Sequence, residues 1–169
     1  MSRAFVKEDD QEEHPIIPNR APLPDGVLNY VTPEGFQALQ KELEELEAER
    51  NAVPKEETPE RRSALTVING KINMLVERIN SAEVVDTPKE PLEEIRFGAY
   101  VTFRFKTENA DRTFQIVGVD EANVKAMKIG FTSPIARVLL GKKAGDIAEL
   151  KLEHGTREIH IKNVTYGKG

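Results

Sequence analysis

The chain has 169 residues, with 24 Lys and Arg against 29 Asp and Glu, so its formal net charge is −5. The absence of cysteine excludes disulfide scaffolds, thiolate zinc sites and cysteine nucleophiles. Every apolar run is far shorter than the ~20 residues of a membrane-spanning helix, and the first ten residues lack the apolar stretch of a signal peptide. We therefore expect a soluble cytoplasmic protein without a membrane partner.

The charges are unevenly distributed along the chain. Residues 1–29 carry a net charge of −3, residues 30–86 carry −5 and residues 87–169 carry +3. Such segregation indicates that the segments present different surfaces to whatever the protein binds. The excess of +3 is too small to dominate phosphate binding, so direct recognition of duplex DNA is not expected.

Residues 1–29 are typical of a disordered, acidic, proline-rich leader. Four of the ten prolines lie there, next to the acidic cluster at residues 8–13. Proline removes backbone donors, and the segment offers little apolar area to offset the entropy lost on ordering. The competing interpretation is a peptide that docks through its few apolar side chains, namely Phe5, Ile16, Ile17 and Leu23.

Residues 30–86 predict two helices joined at a tip near residues 51–58. The pairs Thr32-Pro33 and Thr58-Pro59 each combine a favourable N-cap with proline at the first helical position. Apolar residues then recur at steps of three and four, at Phe36, Leu39, Leu43 and Leu46, and at Leu65, Ile68, Ile72, Leu75, Ile79 and Ala82. Charged residues fill the other positions, so each narrow seam can be buried only on the other. We expect an antiparallel two-helix coiled-coil hairpin, in which Gly70 marks a local bend or allows close approach of the partner helix.

The periodicity becomes strand-like after a proline-containing linker at residues 87–94. Alternating apolar residues in the domain 95–169 predict a mostly antiparallel sheet packed on one short helix. The predicted elements are strands near 101–105 and 114–118, a third strand at 125–131, a helix at 135–140, and strands at 147–152 and 158–164. The fold class is therefore α+β.

The predicted tip holds the only acid-rich candidate for chemistry. The carboxylates of Glu56, Glu57 and Glu60 could hold a Mg²⁺ weakly and complete another protein's site. The competing interpretation is ordinary helix capping, in which Glu60 lies in a first turn and Arg61 and Arg62 are within reach to neutralise its acidic neighbours. The two histidines of the last strand pair, His154 and His160, are expected to be solvated.

Three segments of the C-terminal half resemble the bacterial Gre (GreA/GreB) family of transcript-cleavage and elongation factors. Residues 95–101 are similar to the family's F-G-A-x-V entry into its sheet, and residues 114–122 to its R-I-V-G-x-D-E-A segment. The stretch from Ser133 to Asp146, which begins Ser-Pro-Ile-Ala-Arg, is close to the family signature. The resemblance covers roughly residues 30–166.

The resemblance implies a fold and a partner. The C-terminal domain would be FKBP-like and would dock on bacterial RNA polymerase at the rim of the secondary channel. The Ser133-Pro134 turn would lie on the docking surface together with Thr132, a position that is often acidic in the family. The hairpin would enter the channel, where Lys55, Arg61 and Arg62 are candidates for contact with nascent RNA.

The resemblance also implies what the tip contributes to RNA cleavage by the polymerase. In the family, tip carboxylates help to place the Mg²⁺ with which the polymerase cleaves backtracked RNA. The protein would then be no enzyme itself and would have no cofactor of its own, sharing at most a Mg²⁺ with the polymerase through Glu57 and Glu60. We expect it to act as a monomer.

The tip departs from the family pattern. Cleavage factors carry a G-D-L-x-E-N-A-E-Y-type stretch there, this chain has none, and its hairpin is about fifteen residues shorter, which removes ~10 Å of reach. The leading hypothesis is a polymerase-binding regulator with weak or no cleavage stimulation. One alternative is an active cleavage factor that uses Glu57 and Glu60, and another is an interaction module for a different partner.

Overall fold

The computed structural model describes residues 14–167, and these divide into two compact units. Residues 14–20 and 39–80 form the first, here called the hairpin unit. Residues 21–38 and 81–167 form the second, here called the sheet unit. Within residues 14–167, no helix is both long enough and apolar enough to cross a membrane.

Two long helices begin where the sequence predicts them. Helix α1 runs Pro33–Ala52 and helix α2 runs Pro59–Ser81. The hydroxyl of Thr32 accepts a hydrogen bond from the amide of Gly35 at 2.9 Å, and the hydroxyl of Thr58 accepts one from the amide of Arg61 at 3.0 Å. Both threonines therefore cap orphan amides of a first turn, as the sequence predicts.

The seam of the hairpin unit is buried as its spacing predicts. Its least exposed side chains are Leu39, Leu46, Ile68, Ile72 and Leu75, all with less than a tenth of their surface exposed. Beside the seam, the exposed side chain of Arg50 of α1 donates to the amide oxygen of Asn69 of α2 at 3.3 Å. Water exclusion along the seam is the main source of stability for two helices whose other faces are charged.

Residues 14–20 pack on both helices of the hairpin unit without forming regular secondary structure. A Cβ added to Gly70 of α2 would lie 2.5 Å from the Cδ1 atom of Ile17, so the glycine marks a close approach. Arg20 donates two hydrogen bonds to Glu42 of α1, at 2.6 and 3.0 Å. Ile17 therefore packs on the hairpin as the docking-peptide alternative predicts, whereas Ile16 is exposed and does not.

The sheet unit contains two sheets. Strand β1 (Asn29–Val31) pairs in parallel with β2 (Ala82–Val84). The larger sheet has the order β5-β4-β3-β7-β6. Its strands are β3 Tyr100–Phe105, β4 Arg112–Val117, β5 Lys128–Gly130, β6 Ile147–Leu152 and β7 Gly155–Thr165. Its pairs are antiparallel except β4 with β5, which run parallel.

One face of the larger sheet packs on the short helix α3, Pro134–Leu139. On β3 the burial alternates strictly, with Val101, Phe103 and Phe105 facing the core. Ala136 and Leu139 of α3 are fully buried in the same cluster. The α+β class, the helical hairpin and the sheet with one short helix are therefore confirmed.

Two details differ from the sequence-based expectation. The predicted strand 125–131 is a 3₁₀ turn at Val124–Ala126 followed by the three-residue strand β5. Two pieces of the segment 30–86, its first residues up to Ala38 and its last from Ser81, belong to the sheet unit. Residues 1–13 of the expected leader lie outside the described residues.

Alanine substitutions at two closely approached glycines, Gly118 and Gly70, should change the stability of the protein by different amounts. A Cβ at Gly118 would lie 2.5 Å from the backbone oxygen of Tyr30, whereas one at Gly70 would meet the movable end of Ile17. Gly118→Ala should therefore lower the free energy of unfolding by about 1–3 kcal/mol. Gly70→Ala should change it by less than about 1 kcal/mol, because the better helix propensity of Ala offsets the displacement of Ile17.

Urea unfolding measures both effects separately. The three tyrosines of the chain, Tyr30, Tyr100 and Tyr166, all lie in the sheet unit, and the chain has no tryptophan. Tyrosine fluorescence therefore reports Gly118→Ala, and far-ultraviolet circular dichroism reports Gly70→Ala. A wild-type midpoint for Gly118→Ala would contradict the close approach.

Candidate functional site

The expected docking residues form a tight turn at the start of α3. The hydroxyl of Ser133 accepts from the amide of Ala136 at 3.3 Å, and its carbonyl accepts from the amide of Arg137 at 3.0 Å. Pro134, at the first helical position, is exposed, whereas Thr132 and Ser133 are half-buried. The fixed backbone angle of proline suits this position, so the turn presents Pro134 on a rigid backbone.

Aromatic packing supports this turn from the preceding residue. Phe131 packs edge-on against Tyr30 and Phe97, with ring centroids 5.6 and 5.5 Å apart. Tyr30 and Phe97 are 5.8 Å apart, so the three rings form a closed triangle. Such edge-to-face pairs add stability beyond their buried area and fix the position where the chain leaves β5.

A partly buried carboxylate that the sequence analysis did not single out joins the start of α1 to the sheet. Glu121 accepts a hydrogen bond from the hydroxyl of Thr32 at 2.6 Å and forms an ion pair with Lys128 at 3.3 Å. A Cβ on Gly35 would lie 2.7 Å from the same carboxylate, so the first turn of α1 approaches it closely. The only signal in the sequence was the position of Glu121 within the D-E-A motif.

The segment before β5 forms a second tight turn. The side chain of Asn123 accepts from the amide of Lys125 at 3.1 Å, and the backbones of Asn123 and Lys128 exchange two hydrogen bonds of 3.0 Å. Met127 closes the turn in the left-handed conformation, with φ 60° and ψ 40°. The sequence predicts a strand here because residues 124–127 are mostly apolar. The capping residue Asn123 is the one sign of a turn.

The tip of the hairpin, residues 53–58, is closed by one arginine. The guanidinium of Arg61 donates to the backbone oxygen of Pro54 at 3.0 Å and to the carboxylate of Glu57 at 3.2 Å. Arg61 therefore links the two ends of the turn while it neutralises Glu57. With Thr58 as the N-cap, the capping interpretation of these residues is supported by the geometry.

The other candidate residues of the tip are exposed. Lys55, Glu56, Glu60 and Arg62 all have highly accessible side chains. Among residues 14–167, no three His, Asp or Glu side chains come close enough together to hold a metal ion. The tip carboxylates by themselves therefore do not fit a resident Mg²⁺, whose octahedral shell needs several converging oxygen atoms.

In a charged cluster that joins the turn between β3 and β4 to β7, each carboxylate is paired with a basic side chain. Partial burial favours the neutral form of Glu108, but hydrogen bonds from Arg157 and Arg112 outweigh it and lower the pKa of that carboxyl. The hydrogen bond from Lys106 likewise lowers the pKa of Glu158. We interpret these residues as a structural network of the sheet.

The two histidines differ in environment. His154 is exposed in the turn between β6 and β7, as expected. His160 is half-buried, and its Nε2 atom lies 3.5 Å from the carboxylate of Glu158, so it is less solvated than expected.

Comparison with known proteins places these features in a family. The family model "Transcription elongation factor, GreA/GreB, C-term" matches residues 89–166. A relative named transcription elongation factor GreA, from Beijerinckia indica subsp. indica, is 33% identical over 151 residues, covering 80% of this chain and 96% of the relative. The chain belongs to the GreA/GreB family. A second GreA, from Hyphomonas neptunium, is 37% identical with the same coverage.

Solved structures of similar chains were also found. GreA factor homolog 1 (Gfh1) of Thermus thermophilus is 22% identical, covers 80% of this chain and 97% of its own, and has a TM-score of 0.37. A GreA/GreB elongation factor from Nitrosomonas europaea is 23% identical, covers 81% and 98%, and has a TM-score of 0.40.

Replacing Arg61 tests whether this residue closes the tip. Arg61→Ala should accelerate backbone hydrogen exchange across residues 53–58, because both links from its guanidinium are lost. The global free energy of unfolding should fall by less than about 1 kcal/mol, since the ion pair with Glu57 is largely exposed. Hydrogen-exchange mass spectrometry measures the first effect and urea unfolding the second.

The matched control is Lys55→Ala, which removes an exposed cation from the same turn. It should leave exchange at the tip unchanged. Equal exchange rates in Arg61→Ala and the wild type would show that another contact closes the turn.

Proposed function

We propose that this protein is a transcription elongation regulator that binds bacterial RNA polymerase through its sheet unit. It places its hairpin in the secondary channel with weak or no stimulation of transcript cleavage. The proposal of weak or no cleavage stimulation rests on one observation. The carboxylate of Glu57 is paired with Arg61, which also closes the tip. A carboxylate oxygen that already accepts from Arg61 within its own turn is less available as a ligand for a shared Mg²⁺.

The docking half of the proposal is supported by family membership and by the geometry of the Ser133-Pro134 turn. The turn is held by hydrogen bonds to Ala136 and Arg137 and presents Pro134 outward. A preorganised, exposed turn loses little conformational entropy when it binds, which favours its use as a contact surface. The implied contact by Thr132 is weaker, since its side chain is half-buried and uncharged.

The length of the hairpin supports the proposal that the protein stimulates transcript cleavage weakly or not at all. The alignment with the Beijerinckia GreA spans 151 residues but covers 80% of this chain, which is about 135 of 169 residues. About 16 positions of the relative therefore have no counterpart here. Placed in the hairpin, such a deficit is about eight residues per helix, or ~12 Å of length. Shorter helices would hold the tip farther from the catalytic metal of the polymerase.

The remaining tip charges define what the hairpin could do inside the channel. Lys55 and Arg62 are exposed, and we propose them as contacts for nascent RNA. Arg61 bonds to Pro54 and Glu57 within the tip. The exposed carboxylates of Glu56 and Glu60 are the residues left for a shared Mg²⁺. Occupation of the channel without cleavage would modulate pausing and exclude true cleavage factors.

A cleavage assay with backtracked complexes of purified polymerase tests the tip. The wild-type protein should produce little transcript shortening, and it should slow cleavage by an added GreA because both occupy one site. Glu57→Ala/Glu60→Ala should behave like the wild type. Robust shortening that disappears in this double variant would instead establish an active cleavage factor.

The matched control is Glu47→Ala/Glu49→Ala, which removes two exposed carboxylates from α1 and the same net charge. A loss of shortening shared by both double variants would indicate a general charge effect on binding.

Polymerase binding tests the docking turn separately. Pro134→Ala should weaken binding to core polymerase by about tenfold, which corresponds to ~1.4 kcal/mol of lost contact. The fold should remain intact, because alanine is well tolerated in a first helical turn. Pro91→Ala, at an exposed proline of the linker, is the control and should bind normally. Unchanged binding by Pro134→Ala would place the contact elsewhere.

A further inference from the structure

The turn at residues 124–127 exposes two apolar side chains of the sheet unit. Val124 is 69% exposed and Met127 is 44% exposed. Val124 begins the 3₁₀ helix Val124–Ala126, and Met127 is the residue that ends it. Single exposed apolar residues are common on protein surfaces, but two on one turn of four residues form a small apolar knob.

The backbone at this knob is strained. Met127 has φ 60°, and it is the only residue other than glycine in the described chain with a positive φ. The left-handed conformation crowds the Cβ atom of any L-residue except glycine, and such turns normally use glycine or asparagine. Strain of this kind persists where a side chain has a use, so Met127 points to a function beyond the turn itself.

The turn is also held firmly. The amide of Met127 donates to the backbone oxygen of Val124 at 3.0 Å, and its carbonyl accepts from the amide of Gln115 on β4 at 2.9 Å. The paired backbones of Asn123 and Lys128 close the base of the turn. Val124 and Met127 are therefore presented by a fixed backbone, which lowers the entropic cost of binding.

We propose that the Val124–Met127 turn is a second docking element of this protein. It inserts into an apolar recess on the polymerase that is bordered by carboxylates. The apolar recess matches Val124 and Met127, which would lose their exposed surface to water on binding. The acidic border matches Lys125, which is exposed between them, and the positive net charge of residues 87–169.

The position of the turn fits one continuous interface with the Ser133-Pro134 turn. The three-residue strand β5 lies between the two turns along the chain. From Met127 to Ser133 the chain spans at most about 20 Å even if fully extended. A standard interface buries about 800 Å² on each partner, a patch wide enough to include both turns. This inference rests on the proposed function, because it supplies the partner.

The strained conformation allows a decisive substitution. Met127→Gly removes the side chain and also relieves the positive φ, so it should raise the melting temperature by about 2–4 °C. The same variant should weaken binding to core polymerase by about tenfold, because the apolar contact is lost. A variant that is more stable yet binds less tightly separates a docking role from a structural one. Val124→Ser should weaken binding similarly.

Leu152→Ser is the matched control, since Leu152 is 51% exposed on β6, away from the turn. It should bind like the wild type. Normal binding by both Met127→Gly and Val124→Ser would overturn the inference. A lower melting temperature together with weaker binding by Met127→Gly would also overturn it, because the side chain would then serve the fold.

The Pro134→Ala variant separates this inference from the proposed function. If Pro134→Ala weakens binding while the Val124 and Met127 variants do not, only the second docking element fails. If the wild-type protein does not bind polymerase at all, both the proposed function and this inference fail.

Discussion

The hairpin depends on one constraint: each long helix has only a narrow apolar seam, so neither can exclude water alone. Leu39 and Leu46 on α1 and Ile68, Ile72 and Leu75 on α2 are the least exposed residues of the unit. Because charged side chains cover the other faces, burial of one seam requires the other. The six-residue tip is therefore a consequence of seam pairing, and its sequence is free to carry caps and charges.

A second dependence is visible in the sheet unit, where a single carboxylate organises several elements. Glu121 accepts from Thr32, pairs with Lys128 of β5 and lies against Gly35 of α1. Thr32 also caps α1 through its hydroxyl oxygen, so the same hydroxyl donates to Glu121 and accepts from Gly35. A partly buried carboxylate is costly unless it is paired in this way.

The sequence predicted those features that arise from local periodicity or capping. The helices and both threonine caps follow from spacing and residue type, because the partners of each cap lie three residues away. Features that depend on distant residues were not predictable. The contact of Glu121 with Thr32 joins residues 89 positions apart. The position of Arg20 against Glu42 also requires knowledge of the packed hairpin.

The candidate functional site also combines features that nearby residues determine with features that distant residues determine. Arg61 and Glu57 are four residues apart, so the sequence indicated that an arginine of this segment would neutralise a neighbouring acid, although it did not distinguish Arg61 from Arg62. The left-handed conformation of Met127 could not be anticipated, because methionine rarely adopts it and the surrounding residues favour a strand. Local propensity fails at this turn because backbone hydrogen bonds to Gln115 and Asn123 override it.

The tip and the Ser133-Pro134 turn are each determined by contacts within a few residues. The tip is closed by bonds among Pro54, Glu57 and Arg61, all in the hairpin unit. The Ser133-Pro134 turn is closed by bonds among residues 130–137, all in the sheet unit. Because no residue contributes to both sets of bonds, substitutions at the tip can change its charge without changing the Ser133-Pro134 turn. The same fold can therefore carry tips of different chemistry beside an unchanged turn at the start of α3.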